Sequence, residues 1–207
     1  MLTAILLAAG SSRRMGPINK LLMPYQGQPI VAVTATRLLA AGIKEIIVVT
    51  GYEAADIGKA IAHLPIHLAH NPRHEEGLTG SIQTGIRAST APSAGVPTPT
   101  SQGYMICLAD MVLITPPEYT LLANAFHQHH TADDRCILIP DYQGSPGNPV
   151  IFSAAWRDIL LKHPEKEGCK GIIHSNPTHI FRIPMPSAHI LADIDLPGDY
   201  EALANPT

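Results

Sequence analysis

The chain has 207 residues, 45% of them apolar and 15% charged, with a formal net charge of −3. That length and balance fit a single soluble globular domain (1–207) with a substantial core, with two domains as the lesser alternative. They exclude the broad basic face that non-specific nucleic-acid binding needs, and no apolar stretch is long enough to span a bilayer.

The first strand-like run covers residues 4–7 and empties into Ala8-Ala9-Gly10-Ser11-Ser12-Arg13-Arg14-Met15-Gly16, with Lys20 four residues later. Small residues let backbone N–H groups close in on an anion, and guanidinium and ammonium groups neutralise it. Against the acidic background, Arg13, Arg14 and Lys20 therefore point to a polyphosphate cradle. The loop has neither the lysine-hydroxyl ending of an NTPase phosphate loop nor the glycine spacing of a dinucleotide-binding turn. Its arginines follow the apolar run, the reverse of a secretory signal, which predicts a cytoplasmic protein.

A helix is predicted over residues 30–41 with Gly42 as its C-cap, ahead of strands at 45–49 and 66–69. Leu78, Ile82 and Ile86 step by four and define one inward helix face. Residues 89–103, rich in Pro, Ser, Thr, Ala and Gly, read as a surface loop before a strand at 104–108. Tyr119, Leu122 and Phe126 step by three and four along another helix. Its end carries His127, His129 and His130, read as a solvated helix end that complements the helix dipole rather than as metal ligands.

A fifth strand is predicted at 136–139. Cys107 and Cys136 fall within strand-like runs as buried thiols, and with Cys169 they show no metal-type spacing. The strand runs are rich in Ile, Val and Leu without alternation, which suits strands covered on both faces. The expected fold is therefore α/β, a three-layer α/β/α sandwich with a mostly parallel central sheet and right-handed crossovers. Ligands of such sheets sit beyond the carboxyl ends of the strands, where the loop after the first strand and Asp110 after the fourth converge.

The segment from Leu7 to Gly16 with Lys20 resembles the nucleotidyltransferase signature Leu-Ala-(Ala/Gly)-Gly-x-Ser-x-Arg-Met-Gly-x-x-Lys, with one extra residue before the lysine. Three further blocks resemble one branch of that family, the molybdenum cofactor cytidylyltransferases. They are Asn71-Pro72 with Gly77-Leu78-Thr79-Gly80-Ser81, then Leu108-Ala109-Asp110-Met111, then Asp193-Ile194-Asp195-Leu196-Pro197-Gly198-Asp199-Tyr200. Gly147-Asn148-Pro149-Val150 is a softer match. The blocks keep the family's order and span nearly the whole chain. Two places depart from it. Val112 stands where the family has proline, and Gly168-Cys169-Lys170-Gly171-Ile172-Ile173 lacks the acid and arginine of a Gly-Asp-x-Gly-Ala-Arg-like stretch.

The resemblance implies a Rossmann-like nucleotidyltransferase fold and Mg²⁺-dependent transfer of CMP from CTP onto the terminal phosphate of the molybdopterin cofactor, with release of pyrophosphate. It places Leu7, Ala8, Ala9, Gly10, Ser11, Ser12, Arg14, Lys20, Gly77, Leu78, Ser81 and Asp110 at the nucleotide and Asn148 at the acceptor. Arg14, Lys20 and Asp110 form the expected catalytic set, and Asp110 and Asp195 the expected Mg²⁺ ligands. Asp193 and Asp199 are read as structural.

Such chemistry is mainly positioning and relief of charge repulsion. Gly10, Ser11 and Ser12 offer donors, the fork of Arg14 suits the leaving pyrophosphate, and Lys20 steadies the α-phosphate. The family pairs Leu-Ala-Ala-Gly with cytosine and Leu-Ala-Gly-Gly with guanine, so Ala9 bears on base choice. Rival readings make Asp110 a strand-end turn residue, Asp195 a helix cap before Pro197, and Leu78 a core residue. Expected partners are CTP, the molybdopterin cofactor and a molybdoenzyme or its chaperone. Two alternatives stay open: a nucleotidyltransferase acting on a sugar or polyol phosphate, and a non-catalytic carrier of the pterin cofactor. Paired metal ligands argue against the carrier.

Overall fold

Seven successive buried residues, Leu2–Ala8, form β1. Alternate side chains leave a strand on opposite faces. Leu2, Ala4, Leu6 and Ala8 enter one core, while Ile5 and Leu7 enter the other. An apolar run without polar alternation thus becomes the centre of a sheet covered on both sides. The computed structural model describes residues 1–16, 18–89, 101–164 and 168–204.

After β1 come the small hairpin of β2 (Pro24–Tyr25) and β3 (Gln28–Pro29), then α1 (Ile30–Ala40) and β4 (Glu45–Thr50). Next are α2 (Ala54–Ile61), β5 (His67–His70), α3 (Leu78–Ala88), β6 (Gly103–Leu108) and α4 (Pro116–Ala132). The second half holds β7 (Ile137–Tyr142), β8 (Ser145–Pro146), β9 (Val150–Ser153) and α5 (Arg157–Lys162). It closes with α6 (Lys170–Ser175), β10 (Ile180–Pro184) and α7 (Pro197–Ala204).

The main sheet runs β10-β7-β9-β6-β1-β4-β5, with β8 on β7. β1 pairs in parallel with β4 and β6, as do β4 with β5 and β7 with β10. Apolar residues of α1, α2 and α4 pack on one face, and those of α3, α5 and α6 on the other. The fold is the expected three-layer α/β/α sandwich around a mostly parallel sheet. Among the described residues no helix is long and apolar enough to cross a membrane.

Local differences from the sequence reading have physical causes. β9 runs antiparallel between β6 and β7. Only residues 143–149 link β7 to β9, too few for the crossover that a parallel pair demands, so the chain doubles back. β5 starts one residue later than expected, and as the outer strand it leaves Leu68 exposed. The histidines at the end of α4 are not simply solvated. His130 stacks on Phe126 with centroids 5.2 Å apart, and His129 lies 4.3 Å from the Phe181 ring. Of the expected surface loop, residues 90–100 lie outside the described residues.

Candidate active site

β1 and β6 are neighbours, so their carboxyl ends bring the loop after Ala8 and the turn at Asp110 to one edge. Backbone hydrogen bonds fix the junction: Ala109 N donates to Leu7 O and Tyr52 N to Ala9 O, both at 3.2 Å. Within the loop, Ser12 takes a left-handed φ of 50°, and its Oγ accepts from Lys20 N at 3.2 Å. Asn19 Oδ1 accepts from Leu21 N at 3.1 Å and starts a 3-10 turn, Lys20–Leu22. These contacts carry Lys20 inward.

Lys20 Nζ lies 2.5 Å from Asp110 Oδ2 and 3.1 Å from Asp195 Oδ1, and it donates to Ile194 O at 2.5 Å. Arg14 Nη1 reaches Asp195 Oδ2 at 2.5 Å from an exposed position. Asp195 therefore faces the basic residues and does not cap α7. Asp199 takes that task, its Oδ2 accepting from Asp195 N at 2.9 Å and from Leu196 N at 2.7 Å.

Asp193, expected to be structural, joins the site. Asp110, Asp193 and Asp195 each offer a carboxylate oxygen, and these atoms lie within 4.8 Å of one another. Burial pushes the Asp193 carboxyl above its ordinary pKa, and the charges of Asp110 and Asp195 add to the rise. Burial also pushes Asp195 up, but the hydrogen bond and charge of Lys20, together with Arg14, outweigh it and hold the carboxyl below its ordinary value. Burial alone would lower Lys20, yet Asp110 and Asp195 keep its pKa raised. Asp110 Oδ1 is buried with no hydrogen-bond partner among the described residues. Three carboxylates set against two cationic side chains, one carboxylate with an unsatisfied buried oxygen, suit a hard divalent cation with oxygen ligands. The three aspartates fit Mg²⁺ or Mn²⁺.

A cavity of about 460 Å³ opens beside them. Leu7, Ala9, Gly10, Ser11, Ser12, Arg14, Lys20, Gly77, Leu78, Ser81, Asp110 and Asp195 line it. Two expected residues do not. Strand alternation turns the Ala8 side chain into the α1 side of the core. Asn148 lies between β8 and β9, where its N–H donates to Ile190 O at 3.0 Å. Leu78 is 40% exposed at the start of α3, a rim residue and not a core one. Ser81 is buried, and its Oγ accepts from Asn71 Nδ2 at 3.0 Å.

Sequence reasoning missed Met15, Leu21, His74, Glu75 and Leu108, which also line the cavity. His74 is placed by Gly51, where a Cβ would meet His74 Cβ at 2.5 Å and Ala9 O at 2.8 Å. No spacing in the sequence marks that pair. For Asp193 a signal existed, since residues two apart on an extended chain share a side. The departures from the family pattern also find their places. Val112 is buried and its carbonyl accepts from Arg37 Nη1, while Thr34 Oγ1 donates to Ala109 O at 2.9 Å. Side chains of α1 thus hold the turn after Asp110 without a proline. Gly168 N donates to Thr79 Oγ1 at 3.1 Å, which sets the 168–173 stretch against the first turn of α3, outside the cavity lining.

The sequence model of the MobA-like NTP transferase domain matches residues 4–180. The chain belongs to this family. As a MobA-like nucleotidyltransferase it is 24% identical over 210 residues to the purine catabolism protein PucB of Bacillus subtilis (strain 168), covering 97% of this chain and 94% of that protein. A stretch of 87 residues is 31% identical to nicotine blue oxidoreductase of Paenarthrobacter nicotinovorans; it spans 42% of this chain and 43% of that protein.

Among solved structures, a nucleotidyl transferase from Methanothermobacter (Mth528) is similar with a TM-score of 0.80 at 19% identity, covering 98% of this chain and 95% of that one. Rv0371c of Mycobacterium tuberculosis H37Rv, solved in complex with manganese, gives a TM-score of 0.75 at 20% identity, covering 100% and 99%. At these identities the two structures establish the fold of the MobA-like chain.

Proposed function

We propose that this MobA-like transferase moves CMP from CTP onto the terminal phosphate of the molybdopterin cofactor in the cytoplasm, releasing pyrophosphate and forming the cytosine dinucleotide of that cofactor. The observation that carries the transfer chemistry is the meeting of Lys20 with Asp110 and Asp195, Asp193 beside them, at the carboxyl ends of β1 and β6. The cytosine choice is supported by the family's Leu-Ala-Ala-Gly pattern and by the place of Ala9 in the cavity wall with Leu78 and Ser81. Soluble partners are expected: the two substrates, and a molybdoenzyme or its chaperone to take the product.

The loop N–H groups of Gly10, Ser11 and Ser12 and the guanidinium of Arg14 would bind the β- and γ-phosphates. An acceptor phosphate oxygen, already ionised, forms the new bond to the α-phosphorus, and the oxygen bridging to the β-phosphorus leaves with pyrophosphate. Lys20 would offset the charge that builds on the α-phosphate oxygens as this happens. Asp110, Asp193 and Asp195 would hold Mg²⁺, which would supply further neutralisation of phosphate charge. A methyl at Ala9 narrows the space beside the base, worth roughly 1–3 kcal/mol against a larger ring.

Thermal shift with each NTP plus Mg²⁺ tests the base. A ligand at about 100 times its Kd stabilises by about 2.7 kcal/mol, on the order of 5–10 °C in Tm for a domain of this size. CTP should give most of that shift and GTP little of it, while equal shifts or a GTP preference overturn the cytosine reading. Product identification after incubation with metallated pterin cofactor and CTP tests the acceptor, and absence of a dinucleotide product overturns it.

A further inference from the structure

Two segments outside the strands carry the three aspartates. Residues 109–115 run from β6 to α4 and hold Asp110, while residues 185–196 run from β10 to α7 and hold Asp193 and Asp195. Both segments meet at one carboxylate, that of Glu118 in the first turn of α4, which is 3% exposed. Its Oε2 accepts from Thr115 N at 2.7 Å and from Thr115 Oγ1 at 2.8 Å. Its Oε1 accepts from Ser187 Oγ at 2.5 Å, and His189 Nδ1 lies 3.0 Å from Oε2.

Ser187 Oγ also accepts from His189 N at 3.1 Å and so begins a 3-10 turn, Ala188–Leu191. The other side of that turn rests on the link between β8 and β9: Asn148 N donates to Ile190 O, and a Cβ at Gly147 would run into the Ile190 carbonyl. Capping α4 calls for the Thr115 contacts alone. The contacts to Ser187 and His189 reach a segment about seventy residues away in the chain, which helix capping does not explain.

We propose that Glu118 is a positioning residue for the divalent cation, holding the two aspartate-bearing segments in register through Thr115 on one side and Ser187 and His189 on the other. The proposal rests on Asp110, Asp193 and Asp195 being the cation's ligands. Glu118 bonds to the segments that carry them. It acts by fixing where their backbones stand, one step further removed than groups bonded directly to ligands. Loss of such directly bonded groups typically weakens metal binding about 10- to 100-fold, so an effect at the lower end of that range is expected.

The test is Mn²⁺ affinity, followed by the electron paramagnetic resonance of free Mn²⁺ in protein without nucleotide, well below each variant's Tm. Wild-type protein should bind Mn²⁺ and Asp110→Asn should lose it. The double variant Ser187→Ala/His189→Ala leaves the Thr115–Glu118 cap in place and should bind Mn²⁺ about tenfold or more weakly. Glu118→Gln should weaken it similarly. Leu160→Ala, in the core on the opposite face of the sheet, should lower Tm with unchanged Mn²⁺ affinity. Wild-type affinity in the double variant overturns the positioning role, whatever happens to Tm. Wild-type protein that fails to bind Mn²⁺, or Asp110→Asn that binds it normally, overturns the cation reading itself, and neither result depends on the Glu118 contacts.

Discussion

On one side of the cavity Asp110 follows β6 directly, and Ala109 N is hydrogen-bonded to Leu7 O on the neighbouring strand. On the other side Asp193 and Asp195 lie outside every strand; Lys20, Arg14 and a backbone bond to Asp199 hold Asp195, and the segment that carries both aspartates is bonded to Glu118 at Ser187 and His189. The first wall inherits its geometry from a parallel ladder with partners on both flanks. The second depends on side chains, several of them ionisable. A wall built from a ladder moves only when the sheet does, whereas one built from side chains can be shifted by a single substitution or by protonation.

The largest expected effect falls on the ladder-built wall. Asp110→Ala should keep the fold and lose Mg²⁺-dependent pyrophosphate release by roughly a hundred- to a thousandfold, read in a coupled phosphate assay. Turnover near that of the wild type would remove Asp110 from the mechanism.

The next effect should appear only on the side-chain-built wall. Burial pushes the Glu118 carboxyl up, but hydrogen bonds from Ser187, His189 and Thr115 more than offset this and bring its pKa from an ordinary 4.5 down to about 2. The folded protein thus binds this proton less readily than the unfolded chain does. Its contribution is complete above about pH 4.5 and is lost as pH falls towards about 2. A shift of that size corresponds to about 3 kcal/mol. Urea unfolding between about pH 6 and about pH 2.5 should show stability falling more steeply in the wild type than in Glu118→Gln. Parallel losses in the two proteins would detach Glu118 from the acid response.

A smaller effect is expected at the back of the same wall. Gly147→Ala presses a methyl group on the Ile190 backbone, whose carbonyl carbon would lie 2.9 Å from the new Cβ. Overpacking of this kind costs about 2 kcal/mol, a drop on the order of 4–8 °C in Tm by calorimetry. An unchanged Tm would mean that the 3-10 turn yields easily and that the wall is softer than its contacts imply.

The same contrast explains what could be read in advance. β1, the loop after it and Asp110 follow from an apolar run, a cluster of small residues and a strand-end acid, all local signals. The direction of β9 hung on the length of residues 143–149, a constraint that the apolar pattern does not carry. Ala8 stands inside the signature, and alternation along β1 turns its side chain into the core, a direction that the signature does not carry. Thr115-x-x-Glu118 is visible as a capping box, yet Ser187 and His189 reach Glu118 from 69 and 71 residues away. Asp193 joins Asp110 across a comparable distance in the chain, and only the folded molecule shows that they share a site.

The order of the central strands also bears on how the protein is made. β1 is completed on one flank by β4 and on the other by β6, and the second pairing sets Leu2 against Gly103. During synthesis, therefore, an apolar strand with one open edge waits until Gly103–Leu108 has left the ribosome. An unpaired apolar edge is a template for the wrong partner. The strand that leads into the loop at residues 10–16 is, in the growing chain, a segment in need of protection from aggregation.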